Sequence, residues 1–243
     1  MLKNNIQKIF NSIGYKVEKL DNFYSDDPFF KGLLNKVKNY TMTNPRRIFY
    51  LYNSIKHIIN NNIRGDIVEC GVWKGGSVMV IALTLIKNKT RNKNIFLYDT
   101  FAGMSDPTKD DYLFSDKSKF AKELLKNDEY LKCISSISEV KKNVFKTNYP
   151  KKKFKFIVGD VKDTLKKKIP KNISLLRLDT DWYESTKEEL NILFPRLSRG
   201  GVLIVDDYKT WSGCKKAVDE YFKNKKNIFF TLIDNEALIG IKF

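Results

Sequence analysis

The sequence predicts an α/β fold, a mostly parallel sheet with helices on both faces, and three features predict it. Short apolar runs recur at residues 66–70, 95–98, 154–158, 173–178 and 202–205. Each is too short for a helix, is bounded by Gly, Asp, Pro or Asn, and is continuous rather than alternating, as strands buried on both faces are. Stretches of helical period lie between them. Two last runs, 228–233 and 237–242, flank Asp234-Asn235-Glu236 and read as a closing antiparallel hairpin. The total is seven strands.

The elements follow in order. Residues 1–64 read as a helical N-terminal extension and 65–243 as the catalytic domain. Ile6, Ile9, Phe10 and Ile13 make one apolar helix face. A second helix starts at Thr43-Asn44-Pro45, a capping side chain ahead of a proline at the first helical position. Its stripe is Ile48, Leu51, Tyr52, Ile55 and Ile59, which leaves His57 on the solvent side. Helices are expected at 76–87, at 186–197 with Thr186 and Glu189 as a capping box, and near 214–223. Residues 103–133 fit the alternation poorly. Their polar, turn-rich opening suits either a loop covering a site or a plain surface excursion.

Composition narrows the class. A chain with 42% hydrophobic residues buries a real core, and no apolar run nears the roughly 18–20 residues of a membrane span. The start lacks a signal core, and Cys70, Cys133 and Cys214 are too few and too spread for a disulfide framework, so a reducing cytoplasm is expected. The net charge of +17 raises a nucleic-acid reading. The excess is mostly scattered lysine, however, with no arginine block and no aromatic-basic interleaving, so no nucleic-acid partner is expected.

In an open α/β sheet, ligands bind beyond the carboxyl ends of the strands. After the first run comes Glu69-Cys70-Gly71-Val72-Trp73-Lys74-Gly75-Gly76-Ser77, a glycine-rich turn that is neither a dinucleotide fingerprint nor a phosphate loop. The acid at Glu69 suits a ligand with a cationic end; tight packing alone is the alternative. The second run ends in Asp99-Thr100-Phe101, with Asp99 near the roughly 20-residue offset at which an acid takes ribose hydroxyls. Gly159-Asp160 follows the third run, either an adenine-edge contact or a plain turn. The fourth and fifth runs end in Asp179-Thr180-Asp181 and Asp206-Asp207. On neighbouring strands about 4.8 Å apart these carboxylates repel unless a cation compensates or some are protonated. Ligands that are all oxygen select a hard cation, Mg²⁺ or Mn²⁺.

These residues resemble the macrocin-type sugar O-methyltransferases of antibiotic pathways (mycinose and noviose methylation). The matching stretches are GDIVECGVWKGGS (65–77), YDTFAGM (98–104), LRLDTDWYEST (176–186) and RLSRGGVLIVDDY (196–208), with a weaker one at YTMTNPRR (40–47). The resemblance implies a Rossmann-like class I methyltransferase fold, S-adenosylmethionine as methyl donor, and Mg²⁺ or Mn²⁺ held by Asp179, Asp206 and Asp207. It implies a donor site of Glu69, Gly71, Val72, Trp73, Asp99, Thr100, Phe101, Gly159 and Asp160, with Thr41, Met42 and Thr43 folding over it. The spacing of the metal ligands is similar to that in metal-dependent catechol-type methyltransferases. The lysine base of those enzymes is replaced by Trp182, which leaves Asp179, Asp181, a water or the 103–133 segment to take the proton. A sugar or nucleotide-sugar acceptor and a homodimer formed through the N-terminal helices are also implied. The competing readings are a nucleic-acid methyltransferase, on charge alone, and a non-catalytic donor-binding protein.

Overall fold

The computed structural model describes residues 26–243; the stripe Ile6, Ile9, Phe10 and Ile13 lies outside them. Helix α1 (Pro28–Val37) is capped by Asp27, whose Oδ1 accepts from the Phe30 amide at 2.9 Å. Helix α2 (Pro45–Asn60) starts as predicted, with the Asn44 side chain accepting from the Arg47 amide and Pro45 at the first position. Its buried stripe ends on Ile58 in place of Ile59. His57 is not a solvated residue: it is half-buried, and its Nε2 lies 2.9 Å from the Gly200 carbonyl, pinning α2 to the sheet.

The Rossmann-like core then runs β1 (Asp66–Cys70), α3 (Gly76–Lys87), β2 (Ile95–Asp99), β3 (Tyr112–Leu113), β4 (Asp116–Phe120), α4 (Ala121–Asn127), α5 (Ile137–Phe145), β5 (Phe154–Val158), α6 (Val161–Thr164), β6 (Ile173–Leu178), α7 (Tyr183–Leu193), β7 (Leu197–Val205), α8 (Ser212–Phe222), β8 (Ile228–Leu232) and β9 (Leu238–Lys242). The sheet has seven strands in the order β5-β2-β1-β6-β7-β9-β8. The first five are parallel, and β9 runs antiparallel to both β7 and β8. The predicted hairpin is therefore present, and β9 inserts beside β7.

Because side chains alternate across a strand, the buried runs feed two cores. Ile67, Leu175, Val202 and Ile204 pack under α1, α2, α3 and α5. Val68, Cys70, Leu176, Leu178, Leu203 and Val205 pack under α6, α7 and α8. Helices on both faces explain why the inner strands β1, β2 and β6 are buried along nearly their whole length, whereas the edge strand β5 alternates at Phe154-Lys155-Phe156.

The predicted capping box at Thr186 and Glu189 does not form. Helix α7 starts earlier, at Tyr183, and its first amide donates at 2.8 Å to the buried Asp111, which arrives from the 103–133 segment. Thr186 and Glu189 are thus helix-interior residues, both buried. Asp111 anchors that segment from both sides, its other oxygen accepting from the Thr108 amide at 2.7 Å. The segment, which carries β3, β4 and α4, is further tied to α8 through Tyr112 and Ser212. Among the described residues, no helix is long and apolar enough to cross a membrane.

Candidate active site

The carboxyl ends of the parallel strands are laced together by backbone bonds that continue one residue past each strand. Gly71 N donates to Tyr98 O, Asp179 N to Cys70 O, Asp206 N to Leu178 O and Gly159 N to Asp99 O, all at 2.9–3.0 Å. The lacing brings the tips of β1 and β6 so close that a Cβ at Gly71 would sit 2.0 Å from the Asp179 carbonyl oxygen. Gly71 also holds φ +80°, which an L side chain resists. The glycine in this turn is therefore demanded by strand contact as well as by ligand approach.

Above the tips lie two adjoining cavities, of about 250 Å³ and about 50 Å³. The larger is lined by Thr41, Met42, Thr43, Val72, Trp73, Asp181, Asp206 and Asp207, the smaller by Thr100, Gly159 and Asp160; Gly71, Asp99 and Asp179 face both. Asp99 accepts from the Val72 and Trp73 amides through Oδ2 and from the Phe101 amide through Oδ1. It fixes the glycine-rich turn and keeps one lone pair, on Oδ1, for a ligand. The 40–43 stretch is held to the start of α3 by Gly76 N donating to Tyr40 O at 2.9 Å. Asp160 also caps α6, accepting from the Lys162 amide. Two expected donor residues sit elsewhere. Phe101 is buried and packs on Phe156. Glu69 is fully buried, reaches neither cavity wall, and is committed to Arg177.

Arg177 is the hub of the site. It stands in the register of β6 directly beside Glu69 of β1, is 1% exposed, and lies 2.6 Å from Glu69, 2.8 Å from Asp179 and 3.0 Å from Asp206. Its Nη2, the nitrogen that faces Asp206, also donates to Thr43 Oγ1 at 3.0 Å, joining the 40–43 stretch to the carboxylates. Arg47 descends from α2 on the same side and pairs with Asp206 at 3.3 Å and with Asp234 at 2.8 Å, and also with Glu236. Strand parity explains the geometry: Val202 and Ile204 face α2, so Asp206 does too, towards both arginines. Asp207 lies farther from Arg47, at 3.9 Å. One oxygen each from Asp179, Asp181 and Asp207 come within 4.8 Å of one another. Asp181 holds φ +68°, a strained backbone for a non-glycine residue.

Electrostatics follow from this crowding. Burial, with Asp206, Asp207 and Glu69 nearby, pushes the Asp179 carboxyl well above the usual carboxylate range despite Arg177. Burial and the neighbouring Asp181 and Asp206 do the same to Asp207, and burial with Asp179 lifts Asp181 to about 8. An oxygen-only cluster that resists ionising as it stands fits a hard divalent cation, whose charge would restore the ionised form. Trp182 lines the same larger cavity. Its buried indole donates to the Ser105 carbonyl at 2.9 Å and packs edge-on against Trp211. It closes the floor and moves no proton.

Sequence reasoning missed both arginines. A signal for Arg177 was present: it is the one charge in the otherwise uncharged run ISLLRL, and a charge inside a doubly buried strand must have partners. Arg47 carried no comparable mark, because its partners come from the distant Asp234–Glu236 turn.

The family model described as Macrocin-O-methyltransferase (TylF) matches residues 24–239. The demethyldecarbamoylnovobiocin O-methyltransferase of Streptomyces niveus is 34% identical over 182 residues, 75% of this chain and 67% of that one. The mycinamicin III 3''-O-methyltransferase of Micromonospora griseorubida is 29% identical, over 75% of this chain and 70% of the relative. The solved O-methyltransferase NovP superposes with a TM-score of 0.73 at 32% identity, covering 84% of this chain and 82% of its own. With a family match spanning nearly all described residues and a shared fold, the chain belongs to the TylF macrocin O-methyltransferase family, S-adenosylmethionine-dependent enzymes.

Proposed function

We propose that the chain methylates a hydroxyl of a sugar or sugar-bearing small molecule, with a divalent cation, Mg²⁺ or Mn²⁺, at the carboxylate cluster. The observation that carries this reading is the convergence of Asp179, Asp181 and Asp207 on the wall of the larger cavity. Support comes from two relatives, one named as a mycinamicin III 3''-O-methyltransferase and one as a demethyldecarbamoylnovobiocin O-methyltransferase. S-adenosylmethionine supplies the sulfonium methyl, and a bound cation lowers the pKa of a hydroxyl and fixes its direction.

The chain's own residues do the rest. Asp179 and Asp207 hold the cation. Asp181 completes the set as the side chains stand here, and Asp206, expected as a ligand, is instead engaged by Arg177 and Arg47. Asp206 joins only if it turns from those arginines, so the variants Asp181→Asn and Asp206→Asn separate the two arrangements. Whichever of Asp179 and Asp181 is not bound tightly takes the acceptor proton. Gly71, Asp99, Thr100, Gly159 and Asp160 receive the donor, and Thr41–Thr43 cover it. Trp182 and Trp211 exclude water beneath the reacting oxygen, and positioning supplies much of the rate. Residues 1–64 contribute the flap and a homodimer contact, which light scattering on a chain lacking residues 1–20 checks.

The direct test is transfer of labelled methyl from S-adenosylmethionine to a panel of glycosides, with and without EDTA. Loss of transfer in EDTA, restored by Mg²⁺ or Mn²⁺, is the expected result. Transfer that ignores EDTA defeats the cation, and transfer to oligonucleotides but to no sugar defeats the substrate class.

A further inference from the structure

The larger cavity is walled by Asp99, Asp179, Asp181, Asp206 and Asp207, and the two arginines beside them, Arg47 on the wall and Arg177 behind it, are already occupied by Glu69, Asp179, Asp206, Asp234 and Glu236. The chain's net positive charge does not help an anion there, because screening at physiological salt leaves only groups within about 8–10 Å to decide local sign. Next to it lies a further cavity of about 420 Å³, lined by Lys122, Lys126 and Lys132 with one acid, Asp106. The two cavities share Gly103, Met104 and Leu125 as walls, so they adjoin.

Lys122 and Lys126 stand one helical turn apart on α4, on the face that also presents Leu125. Both are exposed, and neither makes an ion pair among the described residues, whereas Lys132 is paired with Glu129. Acidic groups at the reacting end and free ammonium groups at the mouth sort a ligand by charge along its length. A neutral polyol fits the inner part and an anionic tail the outer part.

We propose that this outer cavity is a diphosphate subsite, and that the acceptor is a sugar carried on a diphosphate ester; the substrate class rests on the sugar O-methyltransferase reading above. Two ammonium groups one turn apart suit two neighbouring phosphates, with Lys132 completing the cradle when it leaves Glu129. The shared chemistry is the glycosyl diphosphate, whether its carrier is a nucleoside or a prenyl lipid.

Calorimetric titration of inorganic pyrophosphate into the full chain, in chelator so that no cation bridges, reads the subsite apart from turnover. The expected result is saturable binding that weakens about tenfold in Lys122→Ala/Lys126→Ala, as loss of two charged contacts allows, and is retained in Lys122→Arg/Lys126→Arg. Thymidine diphosphate and geranyl diphosphate, titrated alongside, identify the carrier by which gains over pyrophosphate. The alanine variant should keep wild-type transfer to uncharged methyl glycosides and lose it selectively for diphosphate sugars. Absent pyrophosphate binding, or binding equal in wild type and alanine variant, overturns the subsite while transfer to simple glycosides stands. Failure of every sugar, charged or not, to accept methyl overturns the substrate reading instead.

Discussion

Arg177→Met removes the charge on which the site is built and keeps a similar side-chain length. In the wild type this guanidinium faces three carboxylates at 2.6, 2.8 and 3.0 Å from a 1% exposed position. Removing one partner of a buried ion pair costs about 3–5 kcal/mol, because the remaining charge has neither water nor counter-ion. The loss of the bond to Thr43 Oγ1 adds about 1 kcal/mol. For a chain of this size each kcal/mol lowers Tm by roughly 2–4 °C, so a fall of roughly 10–20 °C at pH 7 is expected. The pH dependence carries the sign. Without Arg177 the folded-state pKa of the buried Glu69 rises further above its unfolded value. A group raised in this way contributes stability that is complete below the ordinary carboxylate range and lost as pH rises through the folded pKa. The deficit of the variant should therefore shrink as pH falls from 7 to 5, and added Mg²⁺ should restore more stability to the variant than to wild type. Thermal and urea unfolding at both pH values, with and without Mg²⁺, measure this. A loss under about 1 kcal/mol that ignores pH and cation would refute the hub assignment.

Other outcomes follow from the same geometry. Asp181→Asn should cut turnover by about 10²–10⁴-fold if Asp181 takes the proton. In cation-poor wild type, turnover should climb as pH rises through about 8, where that carboxyl ionises, and saturating Mg²⁺ should move the climb to lower pH; a pH–rate profile of both proteins decides. Glu189, buried beside the Thr180 hydroxyl, has its carboxyl lifted by burial to about 8. Its stability contribution is full below the ordinary carboxylate range and lost as pH rises through about 8, so Glu189→Gln should melt above wild type at pH 9 and close to it at pH 5. Gly71→Ala forces a Cβ against the Asp179 carbonyl at positive φ. It should destabilise by at least 1–2 kcal/mol, about the strain of that backbone alone, and abolish donor binding by calorimetry. Trp182→Phe leaves the Ser105 carbonyl without its donor; a loss of about 1–3 kcal/mol in urea melts is expected.

Most of the fold was legible because doubly buried parallel strands announce themselves. Residues 66–70, 154–158 and 173–178 are strands with the predicted ends, and 76–87 is the predicted helix. The 186–197 boundary slipped because a longer-range cap won: Asp111, distant in sequence, supplies the acceptor that a local Thr186 seemed to offer. The tips of β6 and β7 meet as their shared apolar pattern implied. Which oxygens meet was not read, although strand parity held the answer, since Asp206 continues the face of Val202 and Ile204. Arg47 lay beyond reach because nothing local ties α2 to the Asp234–Glu236 turn. Glu69 misled for a related reason: an acid in a glycine-rich turn invites a cationic ligand, and the structure gives it an arginine from the next strand.

Titration of Mn²⁺ into the full chain, followed by electron paramagnetic resonance, reads the carboxylate cluster without any substrate. One Mn²⁺ should bind per chain, be displaced by Mg²⁺, and be lost in Asp179→Asn and Asp207→Asn, with methyl transfer vanishing in parallel. A wild-type chain that binds no Mn²⁺ yet transfers methyl at full rate in chelator would contradict the account at its centre.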